Sequence, residues 1–336
     1  MALTPAREAE GVPSGVRSAR GLSAVSARAL DAAGITDPGL RAAYEECRRL
    51  HAAHGKTYYL ATLLLPPAKR PYVWALYGFA RYADEFVDSL EAPDPQALLD
   101  WGAAFLDALS AASPSAAQSH PVSRAMTHTM RRWLIPRSHV EAFLESMRMD
   151  ITVTGYATYA DLEKYMYGSA SVIGLQMLPI LEPVAPEAAA RARALGEAFQ
   201  MSNFLRDVGE DLHRGRIYLP QEDLETFGVT REILLRGVVT PSVRELLRFE
   251  IERTRSLYAF AEPGIDMLHP TSRDCVRTAF TLYRGILGAI EGAGYQVLTQ
   301  RVSVPLPRRL AVALPAALHA RSARREQERW VRVAQT

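Results

Sequence analysis

The chain has 336 residues, 48% hydrophobic and 23% charged, with a formal net charge of +2. That balance suits a globular protein with one large core or two smaller ones, and it gives no global charge to suggest nucleic-acid binding. Two cysteines, Cys47 and Cys275, form no metal-ligand cluster, and a disulfide is not expected in a reducing cytosol. No apolar run reaches the roughly 18 residues of a spanning helix, and the N-terminus lacks an apolar signal core. The expectation is a cytoplasmic enzyme that touches a membrane without crossing it.

Residues 1–22 are rich in Ala, Gly, Ser, Arg and Pro without an apolar period, and read as a disordered leader. From about Asp37 the apolar residues recur at three and four, the helical period, and β-branched alternation is nearly absent. Pro and Gly clusters punctuate the pattern at Leu65-Pro66-Pro67, Ala92-Pro93-Asp94-Pro95, Ser113-Pro114-Ser115 and Ile135-Pro136. Further breaks fall at Leu181-Glu182-Pro183 through Pro186, at Leu219-Pro220 and at Pro263-Gly264. One all-α domain over residues 23–304 with about ten or more helices follows, and a basic extension over 305–336.

The first chemical cluster is His54-Gly55-Lys56-Thr57-Tyr58-Tyr59, where Lys56 and Thr57 are suited to phosphate; nearby Arg70 reads as a surface charge. Next, Tyr77, Arg81, Asp84 and Asp88 fall at intervals of four, three and four, so they share one helix face. An exposed helix with one Arg–Asp pair would show the same spacing. The interleaved Trp74, Tyr77, Phe79 and Tyr82 favour a pocket with metal at one end and hydrocarbon at the other. In Tyr165 through Gly174, Gly and Ser weaken a helix, which points to close backbone approach to a ligand or to another helix, and also leaves volume for a long chain.

The strongest signal is Gln200 through Asp211. Asn203, Asp207 and Asp211 stand at i, i+4 and i+8, with Gln200 one turn earlier, so their oxygens line one face over two turns. Mg²⁺ takes oxygen ligands, usually one or two carboxylates with water and phosphate oxygens. Two such acidic faces turned together would hold several Mg²⁺ ions and a diphosphate, the chemistry of metal-assisted departure of diphosphate from an allylic lipid. Arg206 flanks Asp207 within reach of a phosphate, and the basic segment His213 through Pro220 is suited to closing over it. In the tail, Arg301, Arg308, Arg309, Arg321, Arg324, Arg325, Arg329 and Arg332 alternate with apolar pieces. That is either a basic amphipathic surface for anionic headgroups or a solvated terminal helix.

On these residues the chain resembles the squalene/phytoene synthase family, most closely its bacterial phytoene synthases, from about Tyr44 to about Val304. Tyr167 through Gly174 resembles one family signature. Leu195-Gly196, Gln200, Asn203, Arg206-Asp207, Asp211, Arg216, Tyr218 and Pro220 resemble the other, which is long and specific. The resemblance implies an all-α isoprenoid-synthase helical bundle around a central cavity, with two acidic helices facing across it. It implies Asp84, Asp88, Asn203, Asp207 and Asp211 as ligands of Mg²⁺, with Mn²⁺ as a substitute, and no NADPH. His54, Lys56, Thr57, Tyr77, Arg81, Gln200, Arg206, Arg216, Tyr218 and Tyr283 are implied to meet two prenyl diphosphates. Arg81, Asp84 and Asp207 are then catalytic, and Tyr165 matches a tyrosine assigned to proton transfer or cation stabilisation.

The implied reaction joins two geranylgeranyl diphosphates head to head through a cyclopropyl diphosphate. The alternative joins two farnesyl diphosphates, as a squalene or dehydrosqualene synthase. A chain-elongating synthase would show adjacent aspartates where Asp84 and Asp88 are separated, and a non-catalytic relative would have lost metal ligands that all stand here. Downstream carotenoid enzymes are implied as partners, with peripheral contact at the inner face of a membrane. The family often has Cys or His around Met166 and Tyr167, and Val where Ser169 stands, which bears on the hydrocarbon pocket and not on the metal ligands.

Overall fold

The computed structural model describes residues 22–88, 94–110 and 120–334, with the side chains of Asp88 and of residues 330–334 outside that description. The expected leader therefore lies outside the described residues except for Leu22, as do the breaks at Ala92-Pro93 and Ser113-Pro114-Ser115.

The described residues form α1 (Ala24–Ala32), α2 (Pro38–His54), α3 (Lys56–Thr62), α4 (Arg70–Asp88) and α5 (Pro95–Ser110). They continue through α6 (Pro121–Trp133), α7 (Arg137–Thr152), α8 (Tyr159–Met166), α9 (Val172–Leu181) and α10 (Ala188–His213). The chain closes with α11 (Gln221–Thr226), α12 (Arg231–Leu235), α13 (Pro241–Ala261), α14 (Pro270–Gly292) and α15 (Leu306–Ala334). No strand occurs among them, only two isolated bridges, Gly155 with Ile217 and Pro183 with Leu268.

Prolines outside the breaks named from the sequence also open helices. Pro38, Pro121, Pro241 and Pro270 occupy first-turn positions, where a missing N–H costs nothing. Asp37 caps α2 by accepting from the Leu40 N–H at 2.7 Å, and Thr240 caps α13 from the Val243 N–H. Arg70 is not the surface charge expected. It donates from Nε to the Leu65 carbonyl at 2.9 Å and from Nη2 to the Leu63 carbonyl at 2.7 Å, so it satisfies acceptors left open where α3 ends.

Two large apolar cores meet along the molecule, with a smaller third cluster of Tyr156, Leu162, Tyr165, Met166, Met201 and Phe204 beside them. The first large core is built by α1, α2, α4 to α7 and α9; the second by α10 to α14 and the segment around Val297. Three of the four aromatics read into the α4 pocket belong to the first core instead. Trp74 and Phe79 are buried, and Phe79 and Tyr82 pack on Trp101. The helical rotation of about 100° per residue explains it for Phe79 and Tyr82, which it turns away from Tyr77.

The Gly- and Ser-rich segment becomes one π-helical turn, Tyr167–Ser171, between α8 and α9. A Cβ on Gly168 would lie 2.1 Å from the Ala142 carbonyl oxygen, one on Gly174 2.3 Å from that of Ala192, and one on Gly196 2.4 Å from that of Ala170. Close approach of α7, α9 and α10 is thus one reason for the small residues. The other is volume, since Ser169, Ala170 and Gly174 also line the cavity between the cores.

The extension forms α15, which docks one face on the body. Ala313 and Ala320 are buried, Arg324 donates to the Leu64 carbonyl at 2.7 Å, and His319 meets Asp274 at 3.1 Å. Among the described residues no helix is long and apolar enough to cross a membrane.

Candidate active site

A cavity of about 310 Å³ runs between α3, α4, α9, α10 and α14. On α4 it is lined by Val73, Leu76, Tyr77 and Ala80; on α10 by Ala192, Leu195, Gly196, Phe199, Gln200 and Asn203. These positions recur at three and four, so each helix shows the cavity one continuous stripe. Continuing each stripe along its helix reaches Asp84 and then the backbone of Asp88 on α4, and Asp207 and then Asp211 on α10. Most of the wall is aliphatic or aromatic; Gln200 and Asn203 mark its polar end.

Asp207 carries the densest charge there. Arg206 pairs with it through Nε–Oδ1 at 2.7 Å and Nη2–Oδ2 at 2.5 Å. Arg301 reaches the same carboxylate at 3.0 Å from both Nε and Nη2, and Glu210 at 3.7 Å. By sequence Arg301 groups with the basic tail; its place on Asp207 leaves no periodic trace. The Asn203 Oδ1 atom is buried without a hydrogen-bond partner, and so is the Arg81 Nε, which makes an ion pair with Glu85 at 3.6 Å. A buried acceptor on the acidic stripe and a buried donor on the facing helix, each without a hydrogen bond, suit a cation and an anion respectively.

Two phenols connect these ends. Burial pushes Tyr77 well above the ordinary tyrosine range, with Tyr283 adding to it and Arg81 and Asp84 among its charged neighbours. Burial likewise raises Tyr283, against the pull of Arg206 and Arg301. Tyr283 stacks on Tyr58 with centroids 4.5 Å apart and lies 4.7 Å from Phe199, giving an aromatic wall in which Tyr58 belongs to the segment already singled out and Phe199 was missed by sequence reasoning. Phe199 sits next to Gln200, already singled out, and adjacency alone was the available signal.

Sequence reasoning also missed His51. It stacks on Tyr77 at 4.2 Å, and burial alone lowers its pKa to about 3. The ring is thus neutral in the folded chain and binds a proton in the unfolded chain below about 6.5. Stability is complete above that value and falls as pH drops toward 3, by about 2–3 kcal/mol at pH 4.5 from this group. His51→Phe should therefore flatten the acid side of the stability profile, measured as thermal midpoint between pH 7 and 4.5. An unchanged slope would contradict this.

The remaining predicted residues are placed differently. His54 ends α2 and Lys56 opens α3, both exposed, with Thr57 half-buried and Gly55 between them making room for the Tyr77 ring. Tyr165 is buried and does not line the cavity. Its hydroxyl donates to Asp150 Oδ2 at 2.8 Å, and that of Tyr218 to Oδ1 at 3.1 Å. Phe204, adjacent to Asn203 on α10, stacks on Tyr218 at 4.1 Å. Arg216 donates to the Asp150 carbonyl at 2.8 Å, and Ile217 to that of Thr154 at 2.9 Å. The basic segment after α10 is thus tied back to the loop after α7. Asp150, which organises this group, stands in no recognisable spacing.

An all-α bundle enclosing an apolar cavity, with stripes that run out to carboxylates and arginines, has the isoprenoid-synthase fold. Residues 51–308 match the squalene/phytoene synthase family, and the chain belongs to it. It is 39% identical over 289 residues to a 15-cis-phytoene synthase of Synechocystis sp., covering 82% of this chain and 84% of that one. It is 38% identical over 292 residues to the phytoene synthase of Arthrospira platensis, covering 83% and 93%. Among solved structures, a dehydrosqualene synthase in complex with ligand superposes with a TM-score of 0.76 at 27% identity, covering 84% of this chain and 98% of that chain. The squalene synthase HpnC from Alicyclobacillus acidocaldarius gives 0.70 at 28%, covering 79% and 98%.

Proposed function

We propose that this prenyltransferase is a phytoene synthase, joining two geranylgeranyl diphosphates head to head through a cyclopropyl diphosphate. Two diphosphates and two protons leave, and no reductant is consumed. The observation that supports it is the apolar cavity whose α4 and α10 stripes continue into Asp84 and Asp207, in a chain 38–39% identical to phytoene synthases.

The donor set suits magnesium: Asp84, Asp88, Asn203, Asp207 and Asp211 would hold it, and Asn203 Oδ1 is a buried acceptor without a hydrogen-bond partner. When bound it supplies Lewis-acid stabilisation of the departing diphosphate. The chain's own residues do the rest. Arg206 and Arg301 beside Asp207, with Arg81 opposite, match the negative charge of diphosphate. His54, Lys56, Thr57, Gln200 and Tyr283 complete the substrate contacts in this reading. The aliphatic wall keeps water from the allylic cation, and the faces of Tyr58, Tyr77 and Phe199 stabilise its charge. Tyr165 lies outside the apolar cavity with its hydroxyl on Asp150, so its part in proton transfer in this reading runs through Asp150. Contact with the inner face of a membrane, and transfer of the hydrocarbon to downstream carotenoid enzymes, belong to the same proposal.

The second reading, a squalene or dehydrosqualene synthase using farnesyl diphosphate, draws on the solved structures at 27–28% identity. Incubation of purified protein with geranylgeranyl diphosphate and Mg²⁺, without NADPH, should give a C40 hydrocarbon identified by mass. Absence of that product, with a C30 hydrocarbon from farnesyl diphosphate instead, would replace the first reading with the second.

A further inference from the structure

Helix α15 exposes Leu306, Leu310, Leu314 and Leu318 at 65%, 43%, 63% and 67% of their full area. At four-residue spacing each stands about 40° further round the helix than the last, so they form one slanting ridge. No other helix among the described residues exposes more than two large apolar side chains. The docked side lies about 90° round the helix from the middle of that ridge, with Ala313 and Ala320 buried. Over the second half of the helix, Arg321, Arg325 and Arg329 continue the exposed side. From residue 305 onward the chain carries seven arginines against two glutamates, Glu326 and Glu328. All of α15 except its first three residues lies beyond the family match.

We infer that α15 is a membrane foot that lies along an anionic bilayer. The leucine ridge enters the headgroup–acyl boundary and the arginines of the second half meet lipid phosphates. Leucine exposed in a monomer is costly to leave in water. A ridge with arginines beside it fits the boundary of an anionic bilayer, where both kinds of group find partners at one depth. The charge selects this occupant over a second copy of the chain, because two copies of this helix side would bring arginines against arginines. The docked face fixes the foot to α14, whose Cys275, Val276 and Ala279 line the cavity, so one helix separates hydrocarbon from the bilayer-facing element. The inference deepens the proposed function only in that a hydrocarbon product needs a lipid phase; the ridge and its charge stand without it.

The test is co-sedimentation of the full chain with phosphatidylcholine vesicles, with and without phosphatidylglycerol, at low and high salt. Wild type should pellet with the anionic vesicles, about tenfold less with neutral ones, and less at high salt. The triple variant Leu310→Ser, Leu314→Ser, Leu318→Ser should lose binding about tenfold or more at unchanged helicity. Arg321→Gln with Arg325→Gln and Arg329→Gln should erase the preference for phosphatidylglycerol. The inference is overturned if either variant pellets as wild type does, if wild type ignores vesicles, or if the leucine variant instead splits a dimer. Turnover in detergent is read in parallel. Both variants should keep it, and a wild type that binds vesicles yet makes no hydrocarbon contradicts the proposed reaction alone.

Discussion

Asp207→Ala is expected to lower turnover by about a thousandfold or more while leaving the helical content unchanged. The carboxylate is the point where two guanidiniums converge, Arg206 at 2.5–2.7 Å and Arg301 at 3.0 Å. It also stands one turn beyond Asn203, whose Oδ1 has no hydrogen-bond partner. Removing it takes a ligand from the proposed metal cluster and frees two arginines from their counter-charge. Effects of that size are usual when charge stabilisation of a leaving group is lost. Asp207→Asn isolates the charge from the shape: it keeps the size and a hydrogen-bond acceptor but not the charge that balances the two arginines and would hold a divalent ion. It should be nearly as inactive, and calorimetry should show weaker Mg²⁺ binding in the presence of a non-hydrolysable diphosphate analogue. Near-normal turnover of either variant would remove Asp207 from the site.

The second large effect is on stability. Gly168→Val should cost about 3 kcal/mol or more, because even its Cβ would stand 2.1 Å from the Ala142 carbonyl oxygen and 2.2 Å from Ser146 Oγ. The Ala142 oxygen belongs to the backbone of α7, so the clash is relieved only by pushing α7 away from the π-helical turn. Ser146 cannot swing aside freely either, since its hydroxyl donates to the Tyr165 carbonyl at 2.8 Å. A loss of that size is a large part of the roughly 5–15 kcal/mol typical of a folded domain. Gly288→Ala on α14 is the control: nothing lies within 4 Å of where its new methyl would stand, so it should be neutral or slightly stabilising. Denaturant midpoints for the two variants should therefore move in different directions or by very different amounts. A Gly168→Val protein as stable as wild type would mean that α7 and the turn are not packed as described.

What is legible in the sequence is what recurs along a helix. Asn203, Asp207 and Asp211 lie on one helix because a spacing of four repeats nearly once per turn, and the all-α class follows from the same period. The prolines are legible as boundaries, though their role as first-turn residues needs the chain on either side. What stays hidden is whatever depends on contacts between helices. Arg301 reaches Asp207 across 94 positions, and Asp150 gathers Tyr165 and Tyr218 from 15 and 68 positions away. No local period encodes such pairs. The aromatics of α4 show the opposite error: proximity in sequence groups Phe79 and Tyr82 with the acidic face, whereas their rotation about the helix puts them in the core. The tail shows its composition in the sequence but not its sidedness, which becomes visible only where α14 covers one face.

The geranylgeranyl assignment rests on an apolar cavity ending in charge, in a chain 38–39% identical to phytoene synthases. The most direct measurement is a competition in one vessel, with equal geranylgeranyl and farnesyl diphosphates, Mg²⁺ and no NADPH, and all hydrocarbons resolved by mass. The C40 product should dominate over the mixed C35 and the C30 products. Dominance of the C30 product would contradict the assignment and make this chain a farnesyl-condensing member of the same family.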